Sequence, residues 1–242
     1  MKEYFRLMEV NNFYSHRNKL KFYIDNLFKN IDFKNKSLID IGGGNGLFGF
    51  YAALLGAKKV VVMEPEFEGS YNGMIKGFFK INNLLGNLSN IEHTNHILED
   101  FDTDSNKFDI ILMHNSINHI DEDACIVLKS DTVAQEKYIS FFKLLRKLCN
   151  QDTTLVVCDC ARSNFFHDLG LKNIYVPSIE WQKHQNPQVW IELLSKAGFV
   201  FESIQWTSPN SFYKIGKILM GNKLISYFTS SHFKIVLKVS SN

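Results

Sequence analysis

The sequence predicts an α/β protein built on a central sheet, and three observations carry this prediction. Short apolar runs of strand length alternate with amphipathic helical segments along most of the 242 residues. The apolar run 37–41 ends in a cluster of glycines, and an apolar helical segment follows directly from residue 47. Glycines suit a tight strand-to-helix turn because its backbone angles are closed to other residues and because a ligand can approach the main chain there. The stretch 37–55 is therefore the predicted centre of both the fold and the ligand site.

Composition limits the classes of protein that the chain can represent. Ordinary apolar and charged fractions predict one globular domain over residues 1–242. A net charge of +2 gives no general attraction to polyanions, so no nucleic-acid partner is expected. No apolar run is long enough to span a bilayer and no signal peptide begins the chain, which predicts a cytoplasmic protein without membrane insertion. The four cysteines lack paired C-x-x-C spacing and are expected to be buried thiols.

The glycine turn admits two classes of cofactor. Gly44-Asn45-Gly46-Leu47-Phe48-Gly49 satisfies the dinucleotide pattern G-x-G-x-x-G, which leaves an NAD-dependent oxidoreductase as an alternative. Asp40 stands at the end of the first strand, just before the glycines. Its carboxylate would repel a pyrophosphate and attract a ligand that carries an ammonium and a sulfonium. The acid therefore favours the second class.

Asp40-x-Gly42-x-Gly44-x-Gly46 resembles the first motif of class I S-adenosylmethionine (SAM)-dependent methyltransferases. The resemblance implies that Asp40, Gly42, Gly43 and Gly44 hold SAM, and that S-adenosylhomocysteine is the product.

The N-terminal segment 1–36 is expected to form a helical arm over the site. Residues 1–16 are predicted to be irregular or partly helical, and an amphipathic helix is predicted from Arg17 to Phe28. Arg17 could pair with the carboxylate of the cofactor's methionine moiety, and Tyr14 is a second candidate for cofactor contact. His16 could face the substrate. A solvated helix start explains the same residues equally simply.

The second predicted strand, 59–63, ends in Glu64-Pro65. An acid at this place, about twenty residues beyond the glycine turn, is positioned to accept hydrogen bonds from both ribose hydroxyls. A helix is predicted over 73–85 and a third strand over 91–96. The family usually has an acid after this strand, whereas Ile97 stands here. Adenine is therefore expected against the backbone of Ile97 and Leu98, with Glu99 as acceptor for its amino group. An acid that only caps the local turn explains Glu99 equally well.

The fourth predicted strand, 108–114, leads into Asn115-Ser116-Ile117-Asn118-His119-Ile120. This pattern resembles the segment after the fourth strand of small-molecule methyltransferases. The resemblance implies that Asn115 lines the cofactor and that His119 faces the acceptor. If the acceptor is a hydroxyl, His119 is the predicted general base, because a neutral imidazole takes up a proton near neutral pH. A histidine that only caps the following helix is the alternative.

Helices are predicted over 121–128 and 132–148, and a fifth strand over 153–161. Asp159 and Arg162 follow the carboxyl end of this strand and are candidate substrate contacts, Arg162 for an anionic group. Metal-dependent relatives would want other residues at Asn115 and at Asp159-Cys160. No catalytic metal is expected.

Residues 163–186 form the least regular stretch and are predicted to be a lid or acceptor loop, with Trp181 and His184 lining the acceptor pocket. A helix over 187–196, closed by Ala197-Gly198-Phe199, and a sixth strand over 200–206 follow. The Ala-Gly-Phe element is a further resemblance to class I methyltransferases. A helical insertion is expected over 210–230, and the alternating stretch 232–239 predicts the final strand.

The whole chain thus resembles a class I SAM-dependent methyltransferase, with motifs spread from Asp40 to Phe199. The resemblance implies a doubly wound, Rossmann-like sheet of seven strands, whose antiparallel last strand lies next to the fifth. The expected reaction is in-line methyl transfer to a small molecule. The overall likeness suggests O-methylation of a sugar-, nucleotide- or phosphate-containing precursor, as in capsule or surface-polysaccharide biosynthesis. N- or C-methylation of another metabolite, and a non-catalytic SAM-binding protein, remain alternatives.

Overall fold

The structure is a computed structural model that describes residues 1–66, 73–207 and 221–240. Its centre is a seven-stranded sheet in the order β3-β2-β1-β4-β5-β7-β6. The strands are β1 Ser37–Ile41, β2 Lys59–Met63, β3 Ile91–Thr94, β4 Phe108–His114, β5 Cys149–Cys160, β6 Phe199–Trp206 and β7 His232–Val239. The pairs from β3 through β5 are parallel, and β7 runs antiparallel to both β5 and β6. The predicted sheet, with its antiparallel last strand beside the fifth, is confirmed.

Helices cover both faces of the sheet. The described helices are α1 Lys2–Val10, α2 Arg17–Leu27, α3 Leu47–Leu54, α4 Met74–Leu84, α5 Glu122–Val127, α6 Thr132–Lys147, α7 Phe165–Asp168, α8 Pro187–Lys196 and α9 Lys223–Tyr227. Alternate residues of a strand face opposite sides, and Leu38 and Ile39 accordingly belong to two separate apolar clusters. The cluster with Leu38 joins β1 to α1, α2, α3 and α4. The cluster with Ile39 joins it to α5, α6 and α8.

The N-terminal arm is more regular than the sequence predicts. Residues 2–10 form α1, which buries Tyr4, Phe5 and Met8 against the α2 and α3 side of the sheet. The Tyr4 hydroxyl donates a hydrogen bond to the carbonyl of Leu47 at the first turn of α3. The arm is therefore attached to the helix that follows the glycine turn.

Several element boundaries differ from the prediction for local reasons. Strand β5 begins at Cys149, because Phe108 of β4 already pairs with Cys149 before an irregularity in the register. Helix α5 begins one residue later than predicted, because the Asp121 side chain caps it by accepting from the backbone N–H of Ala124. Strand β3 ends at Thr94, two residues before its predicted end.

The structure describes all of the predicted 163–186 segment and part of the predicted 210–230 insertion. The stretch 163–186 contains α7 and a 3₁₀ turn, Trp181–Lys183, between irregular connections. Of the helical insertion predicted over 210–230, residues 210–220 lie outside the described residues, and α9 belongs to the remainder. Across the described parts of the chain, no helix combines the length and apolarity needed to cross a membrane.

Candidate functional site

An open cleft of about 770 Å³ lies at the carboxyl ends of β1, β2 and β4. Ligands of open α/β sheets bind at this edge. Eight of the residues predicted from the sequence line it, namely Gly42, Glu64, Pro65, Ile97, Leu98, Glu99, Asn115 and His119. The structure thus brings together residues from four separate loops.

The glycine turn is shaped by close packing on its own protein. Gly42 has a φ of +68°, and a Cβ placed on it would lie 2.4 Å from the Cβ of Ser116. The Ser116 hydroxyl donates to the carbonyl of Ile41 at 2.6 Å, and the Gly42 N–H donates to the carbonyl of Met63 at 2.9 Å. Neighbouring strands therefore hold the turn in a form that only glycine fits.

Asp40 lies directly beneath this turn and is completely buried. A Cβ on Gly43 would stand 2.8 Å from the Asp40 carboxyl carbon. Neither carboxyl oxygen has a hydrogen-bond partner among the described residues. Burial, and secondarily the charge of Glu64, raises the Asp40 pKa to about 7. A buried acid of this kind is well suited to a cationic ligand on the other side of the turn.

Glu64 connects the end of β2 to the glycine turn. One carboxylate oxygen accepts from the Gly44 N–H at 2.9 Å, and the other accepts from the Glu66 N–H at 3.0 Å. A carboxylate oxygen accepts more than one hydrogen bond, so this engagement is compatible with ribose hydroxyls as further donors. Only 4% of Glu64 is exposed, which fixes the direction of its carboxylate.

The segment after β3 forms another wall of the cleft. Ile97 precedes a 3₁₀ turn, Leu98–Asp100, in which Leu98 is buried and Glu99 is exposed. The exposed carboxylate of Glu99 and the backbone of Ile97 are thus both available at the cleft, as the predicted adenine contact requires.

The segment after β4 supplies the predicted base. Asn115 adopts a φ of +52° and donates its N–H to the carbonyl of Cys158 at 2.8 Å, which turns the chain sharply at the strand end. His119 ends the following 3₁₀ turn, and its Nδ1 lies 2.6 Å from a carboxylate oxygen of Glu122. The other Glu122 oxygen lies 2.7 Å from the Lys183 ammonium. The hydrogen bond from Lys183, and secondarily the one with His119, lowers the Glu122 pKa and keeps the carboxylate charged.

The structure places the predicted N-terminal contacts outside the cleft lining. Arg17 is exposed and pairs with Glu9 of α1, with Nε 3.5 Å from a carboxylate oxygen. His16 caps α2 by accepting from the Asn18 N–H. Tyr14 packs against the apolar cluster beneath α1 and α2. His16 therefore lies at the start of a helix, as the alternative explanation expected, and Arg17 forms a local ion pair.

The predicted substrate contacts at the end of the fifth strand, Asp159 and Arg162, and those in the 163–186 segment, Trp181 and His184, also lie outside the lining, and each has a protein partner. His184 and Asp159 form a buried pair, with Nδ1 2.9 Å from a carboxylate oxygen. Arg162 donates to the carbonyl of Ile126 at 2.8 Å, so its predicted role as an anion ligand has no support from its placement. Trp181 is buried and packs against the ring of His167.

Sequence reasoning missed a cluster of aromatic and imidazole rings next to the cleft. The Tyr23 hydroxyl of α2 hydrogen-bonds His114 Nε2 at the end of β4. His232, the first residue of β7, lies 3.3 Å from the Asn115 side-chain oxygen and 2.8 Å from the Thr207 hydroxyl. Burial lowers the His114 pKa to about 3 and the His232 pKa to about 4, so both rings are neutral at pH 7. The strand-terminal positions of both histidines were the signal that could have identified them.

This fold, with an acid beneath a glycine turn and a second acid at the end of β2, defines a class I SAM-dependent methyltransferase. A family model described as a methyltransferase domain matches residues 13–204, and the chain belongs to that family. The orphaned carboxyl of Asp40 and the glycine turn that covers it fit SAM, the cofactor of this class.

Solved structures show the same fold at low sequence identity. A SAM-dependent methyltransferase from Aquifex aeolicus is 13% identical, with a TM-score of 0.60 over 89% of each chain. Magnesium protoporphyrin IX methyltransferase from Synechocystis PCC 6803, solved with bound S-adenosylhomocysteine, is 14% identical, with a TM-score of 0.60 over 93% of this chain and 85% of its own.

The chain is also similar in sequence to part of a curated protein. A ribosomal protein L11 methyltransferase from Prochlorococcus marinus (strain AS9601) is 29% identical over 117 residues. The match covers 48% of this chain and about a third (33%) of the relative's length.

Proposed function

We propose that this protein transfers the methyl group of SAM to a hydroxyl of a small-molecule acceptor, with His119 as general base. The observation that carries the proposal is the position of His119. Its imidazole lines the same cleft as Gly42 and Glu64, and a charged carboxylate holds its Nδ1. A base is needed for a hydroxyl acceptor, because a neutral hydroxyl is a weak nucleophile until its proton is removed.

Different residues around the cleft would bind different parts of SAM. Glu64 and Pro65 would hold the ribose, the backbone of Ile97 and Leu98 would hold adenine with Glu99 at its amino group, and Asn115 would face the methionine moiety. When bound, SAM supplies a methyl group that the sulfonium has already activated. The protein's contribution is to align the acceptor and exclude water, effects that reach about 7–11 kcal/mol for well-oriented reactants.

His119 would take the acceptor's proton at Nε2. With a charged carboxylate beside it, Nδ1 would carry the proton and donate to Glu122, which leaves the lone pair on Nε2. The Asn118 amide nitrogen lies 3.4 Å from Nε2 and would yield that position to the acceptor. Glu122 stabilises the imidazolium that forms. The oxygen of the acceptor is then free to attack the methyl carbon.

The charges that line the cleft favour one class of acceptor over the others. Beside His119 the cleft is lined by the carboxylates of Asp121, Glu122 and Asp123, and none of the described lining residues is lysine or arginine. Among the predicted sugar, nucleotide and phosphate-containing precursors, this lining favours a hydroxyl-bearing sugar without a phosphate at the cleft. Biosynthesis of a capsule or surface polysaccharide is the setting that we propose for such an acceptor.

The proposal extends to the domain and its compartment. We treat residues 1–242 as one catalytic domain. The 163–186 segment lies beside the cleft without lining it, and Lys183 of this segment contacts Glu122 of the lining. The four cysteines are buried free thiols, which fits a reducing, cytoplasmic compartment.

Two measurements test the function. Thermal unfolding with SAM, S-adenosylhomocysteine or NADH added separately should show stabilisation by the first two only, because a ligand of the native state raises stability by mass action. Transfer of labelled methyl groups from SAM should then be screened against hydroxyl sugars, phosphosugars, small amines and ribosomal protein L11. A product with hydroxyl sugars that is lost in His119→Ala supports the proposal. Stabilisation by NADH alone, or methylation of amines alone, contradicts it.

A further inference from the structure

Lys183 belongs to the 163–186 segment, and its backbone is fastened to the cleft wall. The Cys125 thiol of α5 donates to the Lys183 carbonyl at 3.2 Å. The next residue, His184, is held by the buried carboxylate of Asp159. The chain at Lys183 and His184 is thereby held against α5 and the end of β5.

The Lys183 side chain contacts Glu122, whose carboxylate also contacts His119, the proposed general base. Its ammonium lies 2.7 Å from one oxygen of Glu122 and 2.9 Å from Glu180. The other Glu122 oxygen lies 2.6 Å from His119 Nδ1. About a quarter of each of the Lys183 and Glu122 side chains is exposed, so water screens this contact only in part.

We propose that Lys183 is a positioning residue, which holds the Glu122 carboxylate in one orientation so that His119 keeps its proton on Nδ1 and its lone pair on Nε2. The inference rests on the proposed role of His119 as base. It also implies that the 163–186 segment and the base are ordered together, because Lys183 belongs to that segment and contacts the carboxylate that holds His119.

The other charges near the imidazole do not replace this contact. Asp121 and Asp123 line the same wall of the cleft. Asp121 caps α5 and is paired with Lys137 of α6. Among the described ion pairs, Glu122 is the carboxylate that contacts the His119 ring, and Lys183 is the lysine that contacts Glu122.

The test reads the His119 tautomer directly, by ¹⁵N NMR of histidine-labelled full-length protein at pH 8, with His119→Gln to assign the signal. In the wild-type protein the spectrum should show Nδ1 of His119 protonated and Nε2 unprotonated. Lys183→Met and Lys183→Gln should show a mixture of the two tautomers, whereas Lys183→Arg should restore the wild-type signal. Lys196→Met is the matched control, because it removes a lysine from an exposed ion pair with Glu192 on α8.

SAM titration of each variant separates this positioning role from a general loss of structure. The SAM dissociation constant should change less than twofold in Lys183→Met. Wild-type tautomer signals in a folded Lys183→Met or Lys183→Gln protein would overturn the inference. A tautomer change in these variants, combined with no methylation of any hydroxyl acceptor by the wild-type protein, would leave the positioning intact and refute the proposed function instead.

Discussion

Replacement of Asp40 by asparagine should make the ligand-free protein more stable, and increasingly so as the pH rises. The Asp40 pKa is about 7 in the folded protein, against an ordinary value of 3.8. Between these values the folded state binds a proton that the unfolded state has lost. Folding stability therefore falls as pH rises through this window, and the full loss is present above pH 7.

The magnitude follows from the difference between the two pKa values. About three pH units correspond to about 4 kcal/mol, and no discount for solvent applies because Asp40 is completely buried. At pH 5 only about 1.5 kcal/mol of this is present. Asp40→Asn removes the charge and keeps the shape, so its advantage over the wild type should grow by about 2.5 kcal/mol between pH 5 and pH 8.

Urea unfolding of both proteins at pH 5, 6.5 and 8 measures this difference without any ligand. The reasoning also requires that Asp40→Asn weaken SAM binding at pH 8, because the charge that destabilises the free protein attracts the cationic ligand. A stability difference that does not change with pH, or a variant that binds SAM as well as the wild type does, would refute it.

Three further substitutions test other parts of the site. Glu64→Gln should weaken SAM binding about 10- to 100-fold by calorimetry, the range expected for loss of a charged hydrogen-bond acceptor. Gly42→Ala should lower the free energy of unfolding about 1–3 kcal/mol more than Gly86→Ala does, since both glycines have positive φ but only the first lacks space for a methyl group. The low His114 pKa means that the unfolded state takes up a proton first as the pH falls, so the wild-type protein loses stability below pH 6.5. His114→Gln should reduce this loss by about 2 kcal/mol at pH 5. The same decrease in the free energy of unfolding at acid pH in both proteins, measured with urea, would contradict this. Glutamine retains a hydrogen-bond partner for Tyr23.

The features that the sequence predicted well are those encoded in short stretches. The strand, glycine turn and helix lie within twenty residues, and Asp40 and Glu64 each mark the end of a neighbouring strand. Parallel strands bring such ends to one edge, so local patterns were enough to assemble the cleft. The sheet order followed from the family resemblance, which the pairing of β7 with β5 and β6 confirms.

The features that were missed depend on contacts between distant parts of the chain. Lys183 reaches Glu122 across 61 positions of sequence, through a segment with little regular structure. His232 meets Asn115 only because β7 is inserted beside β5. For Arg17 the competing partner is local: the sequence suggested the cofactor's carboxylate, but the structure pairs the guanidinium with Glu9 of the preceding helix. Periodicity defines which elements form, but not which side chains meet at their ends.

The buried acid and the partly buried imidazoles act on stability in opposite directions. Asp40 makes the ligand-free fold less stable as the pH rises towards 7, and His114 and His232 make it less stable as the pH falls below 6.5. A cation that binds over the glycine turn favours the charged form of Asp40 and has no such effect on the two neutral rings. SAM should therefore extend stability on the alkaline side more than on the acid side. Unfolding midpoints measured across pH with and without SAM would reveal this asymmetry, and equal stabilisation at pH 5 and pH 8 would show that Asp40 is not the group that senses the cofactor's charge.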